Sequence, residues 1–95
     1  MSDRILFTEE PELDEKQRKE AIKEALDNAY LGMKEKGYSP IDQLVGYLRN
    51  NDPSYLTNNR DTRKMLRAFD VDEVLEVLLE SYFGWSVLIR LPGVW

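Results

Sequence analysis

The feature that most limits how this chain can fold is the regular placing of helix-start signals along it. Asp14 is followed three residues later by Gln17, the reciprocal pair of a capping box. Ser39-Pro40-Ile41-Asp42 supplies a cap, a proline at the first helical position and an acid at the positive end of the dipole. Asp52-Pro53 repeats the cap-then-proline pattern, and Asp70 is followed three residues later by Glu73. Between these signals apolar residues recur at spacings of three and four. The pattern predicts an all-α domain over residues 13–83, a small bundle of four helices plus one short turn.

The first helix is expected from Asp14 to Lys36, with Ile22, Leu26, Ala29, Tyr30 and Met33 on one face. Gly37 supplies the left-handed residue that ends it. About 23 residues at 1.5 Å each span roughly 34 Å. The whole chain has 95 residues. A monomer of that size exposes about 5,700 Å² of the roughly 16,000 Å² in its unfolded chain, enough for one modest core. A helix that outspans this core is expected to pack partly against a second copy, so a homodimer is the expected state.

The second helix should carry its apolar stripe on Ile41, Leu44, Val45 and Leu48, with Gly46 marking close contact with another helix. Ser54 to Leu56 should form one short turn. Arg60 to Phe69 should be a short helix with Met65, Leu66 and Phe69 inward and Arg63, Lys64 and Arg67 outward. The last helix should bury Val71, Val74, Leu75, Leu78, Leu79 and Tyr82, run through Phe83 and close at Gly84. Two ends flank this domain. Residues 1–12 read as a tail, extended or disordered, with an apolar island at Ile5, Leu6 and Phe7. Residues 84–95 read as an apolar arm, a strand or extended segment lying over the core or over a neighbour.

Composition narrows the function. The chain has no Cys and no His and a net charge of −5. It therefore has no thiolate nucleophile, no Cys-ligated metal and no side chain that titrates near neutral pH unaided. Neither an enzyme, a cofactor nor a metal site is expected. The acidic balance argues against nucleic acid as a partner. The N-terminus has no leader pattern and no run is long enough to span a bilayer, so a cytoplasmic protein is expected. Glu73, Glu76 and Glu80 share a helix face and read as solvated; Asp70, Asp72 and Glu73 read as helix caps, not as a cation site.

Arg49, Arg60, Arg63, Lys64 and Arg67 form a basic cluster in an acidic chain. We read it as a protein-facing surface that meets an acidic helix within or between subunits. An anion or nucleic-acid site and a dock for a phosphorylated tail are the alternatives. Tyr38, Tyr47 and Tyr55 either shape the turns or, with Gly46 and Pro53, form part of a partner or dimer surface.

The stretch from Glu35-Lys36-Gly37-Tyr38-Ser39-Pro40 through Val45-Gly46-Tyr47-Leu48 resembles the IreB family of small bacterial regulatory phosphoproteins. Asp52-Pro53-Ser54-Tyr55-Leu56, Arg60-Asp61-Thr62-Arg63 and Asp72-Glu73 through Ser81-Tyr82 extend the resemblance over about residues 16–83. It implies a homodimeric, mainly helical, non-enzymatic regulator. Such a protein works with a Ser/Thr kinase and phosphatase in envelope stress and antibiotic resistance. The family's phosphorylated threonines precede a Phe in the N-terminal tail. Aligned on Phe7, those positions are Ser2, Asp3 and Arg4, so the modification does not transfer by position. Thr8 is the tail's only threonine and its phosphorylation candidate, although Glu9 and Glu10 beside it oppose added charge. The alternative function is an acidic inhibitor from a phage or mobile element built on the same scaffold.

Overall fold

The computed structural model describes residues 14–90, with side chains described through residue 84. Within that range the protein is helical, with no strand. Four α-helices follow in order: α1 (Glu15–Glu35), α2 (Pro40–Asn50), α3 (Thr62–Arg67) and α4 (Val71–Arg90). Two single 3₁₀ turns, Pro53–Tyr55 and Asn59–Asp61, join α2 to α3. The fold thus has the expected four helices but one more short turn. The expected tail at 1–12, with Thr8, lies outside the described residues.

α1 begins with a complete capping box. The Gln17 backbone N–H donates to Asp14 Oδ1 at 2.7 Å, and the Asp14 N–H donates to Gln17 Oε1 at 3.3 Å. The helix ends before Gly37, whose φ of 81° puts it in the left-handed region. Its buried face is Ile22, Ala25, Ala29, Gly32 and Met33. Tyr30, expected on that face, is exposed instead. Small residues take the inner positions because α3 and its preceding turn lie close against them.

α2 opens as expected, with the Ser39 hydroxyl accepting from the Asp42 N–H. Its buried side is Pro40 and Tyr47, flanked by half-buried Leu44 and Leu48. The expected stripe is therefore rotated, leaving Ile41 and Val45 in solvent. Gly46 makes its close approach to the ring of Tyr55, not to a helix. α3 is shorter than expected because Arg60 and Asp61 both take left-handed angles, with φ of 59° and 57°. No helix can run through such a pair.

α4 starts with the Asp70 N–H donating to Glu73 Oε1 at 2.9 Å. It then runs past Gly84 to Arg90, which corrects the expected stop at Gly84 and the extended arm after it. Gly84 does not enter the left-handed region. A lone glycine costs a helix only about 1 kcal/mol, and the helix-compatible residues after it carry the turn onward. Residues 91–95 lie outside the described range.

Candidate protein-interaction surfaces

The core gathers Ile22, Ala25, Ala29 and Met33 of α1 with Tyr47, Leu56, Leu66, Val74 and Val77. From α4 only Val74 and Val77 are buried among the described side chains. Leu75, Leu78, Leu79, Tyr82 and Phe83 are exposed, the last three by more than half of their area. The expected α4 stripe is thus split. One edge closes the core, and the broader apolar side faces outward. Tyr82 and Phe83 meet edge to face there, with ring centroids 5.1 Å apart.

Polar contacts fix how α4 leaves the body. Arg18 of α1 holds Glu73 through two hydrogen bonds, Nε to Oε2 at 2.5 Å and Nη2 to Oε1 at 3.0 Å. Its guanidinium also lies 5.0 Å from the centre of the Phe69 ring. Further along α4, Lys19 reaches Glu80 at 2.9 Å and Glu76 at 3.9 Å. The Arg18 hydrogen bonds, helped by the Asp70 N–H, pull the pKa of the Glu73 carboxyl down to about 2. The Glu80 hydrogen bond raises the pKa of Lys19. In the row Glu73, Glu76, Glu80, expected to be solvated, Glu76 and Glu80 are exposed and Glu73 is half-buried, and all three also meet Arg18 or Lys19 of α1. No motif marks Arg18 and Lys19 for this role, because their partners lie more than fifty residues away in the chain.

The tyrosines separate. Tyr38 is exposed, and Tyr55 lies on the surface with its ring over Gly46 and its hydroxyl accepting from Asn50 Nδ2 at 3.3 Å. Tyr47 is 2% exposed, so it belongs to the core and not to an open surface. Burial raises the pKa of its phenol. The basic cluster separates too. Arg60 pairs with Glu35 of α1 at 3.6 Å. Arg63, expected outward, turns in: Nε donates to the Pro53 carbonyl at 3.1 Å and Nη2 to the Leu56 carbonyl at 2.7 Å. The Pro53 carbonyl already accepts from the Leu56 N–H, so Arg63 adds a second donor there and supplies one to the Leu56 carbonyl. Lys64 and Arg67 stay exposed.

The depressions are open and shallow. One cleft of about 460 Å³ is lined by Tyr47, Asn51, Pro53, Arg67, Phe69, Asp70, Val71 and Asp72. Among the described residues no group of three acidic side chains is placed to hold a metal ion. No helix there is long and apolar enough to cross a membrane.

The bundle thus presents an open apolar side on α4 and a set of ion pairs between α1 and α4. The profile of the family described as "IreB regulatory phosphoprotein" matches residues 8–84. This chain belongs to the IreB family. Among its relatives are two proteins named UPF0297. The one from Lachnoclostridium phytofermentans is 41% identical over 68 residues, covering 72% of this chain and 77% of the relative. The one from Acetivibrio thermocellus is 44% identical over 68 residues, covering 72% and 76%. Membership of a regulatory phosphoprotein family carries a regulatory role to this chain at the level of its class. The IreB match spans α1, α2, α3 and the exposed apolar side of α4 up to Gly84.

Proposed function

We propose that this protein is a cytoplasmic, non-enzymatic regulator that acts by protein–protein contact as a homodimer. Its control is tied to a Ser/Thr kinase pathway. The observation that carries the dimer is the outer side of α4. Leu75, Leu78, Leu79, Tyr82 and Phe83 form one exposed helical stripe. An apolar surface of this kind marks an interaction site. Two copies related by a two-fold axis bring the same stripe together, as an isologous interface requires. In sequence the spacing continues through Trp85 and Ile89, the four-three rhythm of a helix-pairing seam. The kinase link rests on family membership and on Thr8, which falls within the matched region.

Light scattering on the full chain tests the first part. The wild type should run at twice its chain mass, and Leu79→Glu should shift it toward one. A wild type that stays monomeric at high micromolar concentration removes the dimer. Incubation with a Ser/Thr kinase of the native host, read by intact mass for wild type and Thr8→Ala, tests the second. Absence of any added phosphate removes the kinase link.

A further inference from the structure

Two exposed cations of α3 stand without acidic partners. Arg18, Lys19, Lys23 and Arg60 are in ion pairs; among the described residues Lys64 and Arg67 are in none, as is also true of Lys16, Lys34, Lys36, Arg49 and Arg63. Arg67 sits between two adjoining depressions. One is the cleft of about 460 Å³ whose lining includes Tyr47, Pro53, Phe69 and Val71. The other, about 400 Å³, is lined by Asn58, Arg63, Lys64, Arg67 and Ala68. Together they form a trough that carries Pro53, Phe69 and Val71 beside the cations Lys64 and Arg67, with Asn51, Asp70 and Asp72 also in its lining.

One side chain ties the first turn of α1 to this trough. Arg18, one turn into α1, rests its guanidinium on Phe69, which lines the cleft. Thirteen residues precede Asp14. They include Glu9, Glu10 and Glu12 and, before these, Ile5, Leu6 and Phe7. Five residues of extended chain back from Asp14 reach roughly 17 Å, and seven reach roughly 24 Å. That length exceeds the single turn of α1, about 5.4 Å, that separates Asp14 from Arg18, whose guanidinium already meets Phe69. The preceding segment thus carries the two chemistries the trough presents, acids for Lys64 and Arg67 and apolar side chains for the cleft.

We infer that the trough is the docking site of this chain's own residues 5–12, bound in cis. The acids answer Lys64 and Arg67, and Ile5, Leu6 and Phe7 cover the apolar lining. Occupied, the trough hides the basic surface from any acidic partner. Released, it exposes that surface. Thr8 lies between the acidic and apolar parts, so a phosphate added there faces the same cations and tightens the contact. The α4 dimer uses a different surface and neither requires nor excludes this contact.

The chain has no Cys, so Thr8→Cys takes a single nitroxide label on the full-length protein. In a ¹⁵N spectrum the amides of Asn58, Lys64, Ala68 and Val71 should lose most of their intensity, while that of Ile41 should keep it. Raising salt to about 1 M, where the Debye length is about 3 Å, should restore much of the loss. Lys64→Glu with Arg67→Glu should restore it at low salt; both side chains are exposed, so the fold is expected to survive. If that variant does not fold, the salt arm decides. Mixing ¹⁵N chains lacking the label with labelled unenriched chains should leave all intensities intact. Four results overturn the inference: no loss at those amides, losses elsewhere or uniform, losses indifferent to salt and charge reversal, or losses in the mixed sample, which assign the contact to a second copy.

Discussion

Gly32 of α1 and Thr62 of α3 touch so closely that a methyl group added to Gly32 would lie 2.5 Å from the Thr62 hydroxyl and 3.0 Å from the Asn59 carbonyl. The pair sets the distance between the two helices. Asn59 Nδ2 donates to the Gly32 carbonyl at 2.9 Å beside it, and Asn28 Nδ2 donates to the Arg60 carbonyl at 2.7 Å. These bonds hold the two left-handed residues Arg60 and Asp61 in place. Gly32→Ala should therefore destabilise the fold by about 1–3 kcal/mol, because the backbone carbonyl cannot move aside and overpacking outweighs the helix-propensity gain. Urea unfolding followed by circular dichroism measures it. A midpoint equal to or above wild type contradicts the close approach.

The Thr62 hydroxyl is fully buried and has no hydrogen-bond partner among the described residues. An unsatisfied buried polar group costs about 1–3 kcal/mol. Thr62→Val keeps the shape and removes that group, so it should raise the unfolding midpoint. Thr62→Ala, which leaves a hole, should not. A drop for the valine variant means that the hydroxyl has a partner in solution.

Arg63 secures the turn between α2 and α3 by donating to two backbone carbonyls. Arg63→Met keeps the apolar stem and loses both bonds. Hydrogen bonds from charged groups contribute about 1.5–3 kcal/mol, and the variant should lose stability on that scale. Hydrogen exchange at Leu56, whose N–H donates to the Pro53 carbonyl at 2.9 Å, should quicken with it. Unchanged exchange there shows that the guanidinium is not what holds the turn.

The Arg18–Glu73 pair gives the fold an acid limit. The pKa of the Glu73 carboxyl is about 2 in the folded protein, below its ordinary 4.5. The unfolded chain takes up that proton first as pH falls. The pair's contribution is thus complete above about pH 4.5 and disappears as pH drops toward 2. Glu73→Gln should lower stability at neutral pH and flatten its fall across that interval, relative to wild type. Parallel wild-type and variant curves from pH 5 to about 2 would refute the pairing.

Much of this fold is legible in the amino-acid order alone. Asp14 with Gln17, Ser39 with Pro40 and Asp52 with Pro53 cap their helices and turns as the local pattern demands. Such signals act over three or four residues, so neighbours in the chain suffice to read them. The surfaces are not legible in the same way. Leu75, Leu78 and Val77 are all apolar on one helix, and only contact with α1 decides that Val77 is inside and the leucines are not. Arg63 and Lys64 are adjacent cations, yet one satisfies two carbonyls and the other faces water.

By itself the sequence determined that the chain is helical, where most helices begin, and which family it belongs to, because capping and periodicity are local and family motifs are linear. Gly84 shows the limit of local signals: a glycine there marks a stop, and the helix nonetheless continues to Arg90. Only the tertiary structure decided which apolar side of α4 stays open, which cations are answered and why Gly32 and Gly46 have no side chain. Each of those outcomes depends on a second element arriving at a set distance, and no stretch of one helix encodes that distance alone.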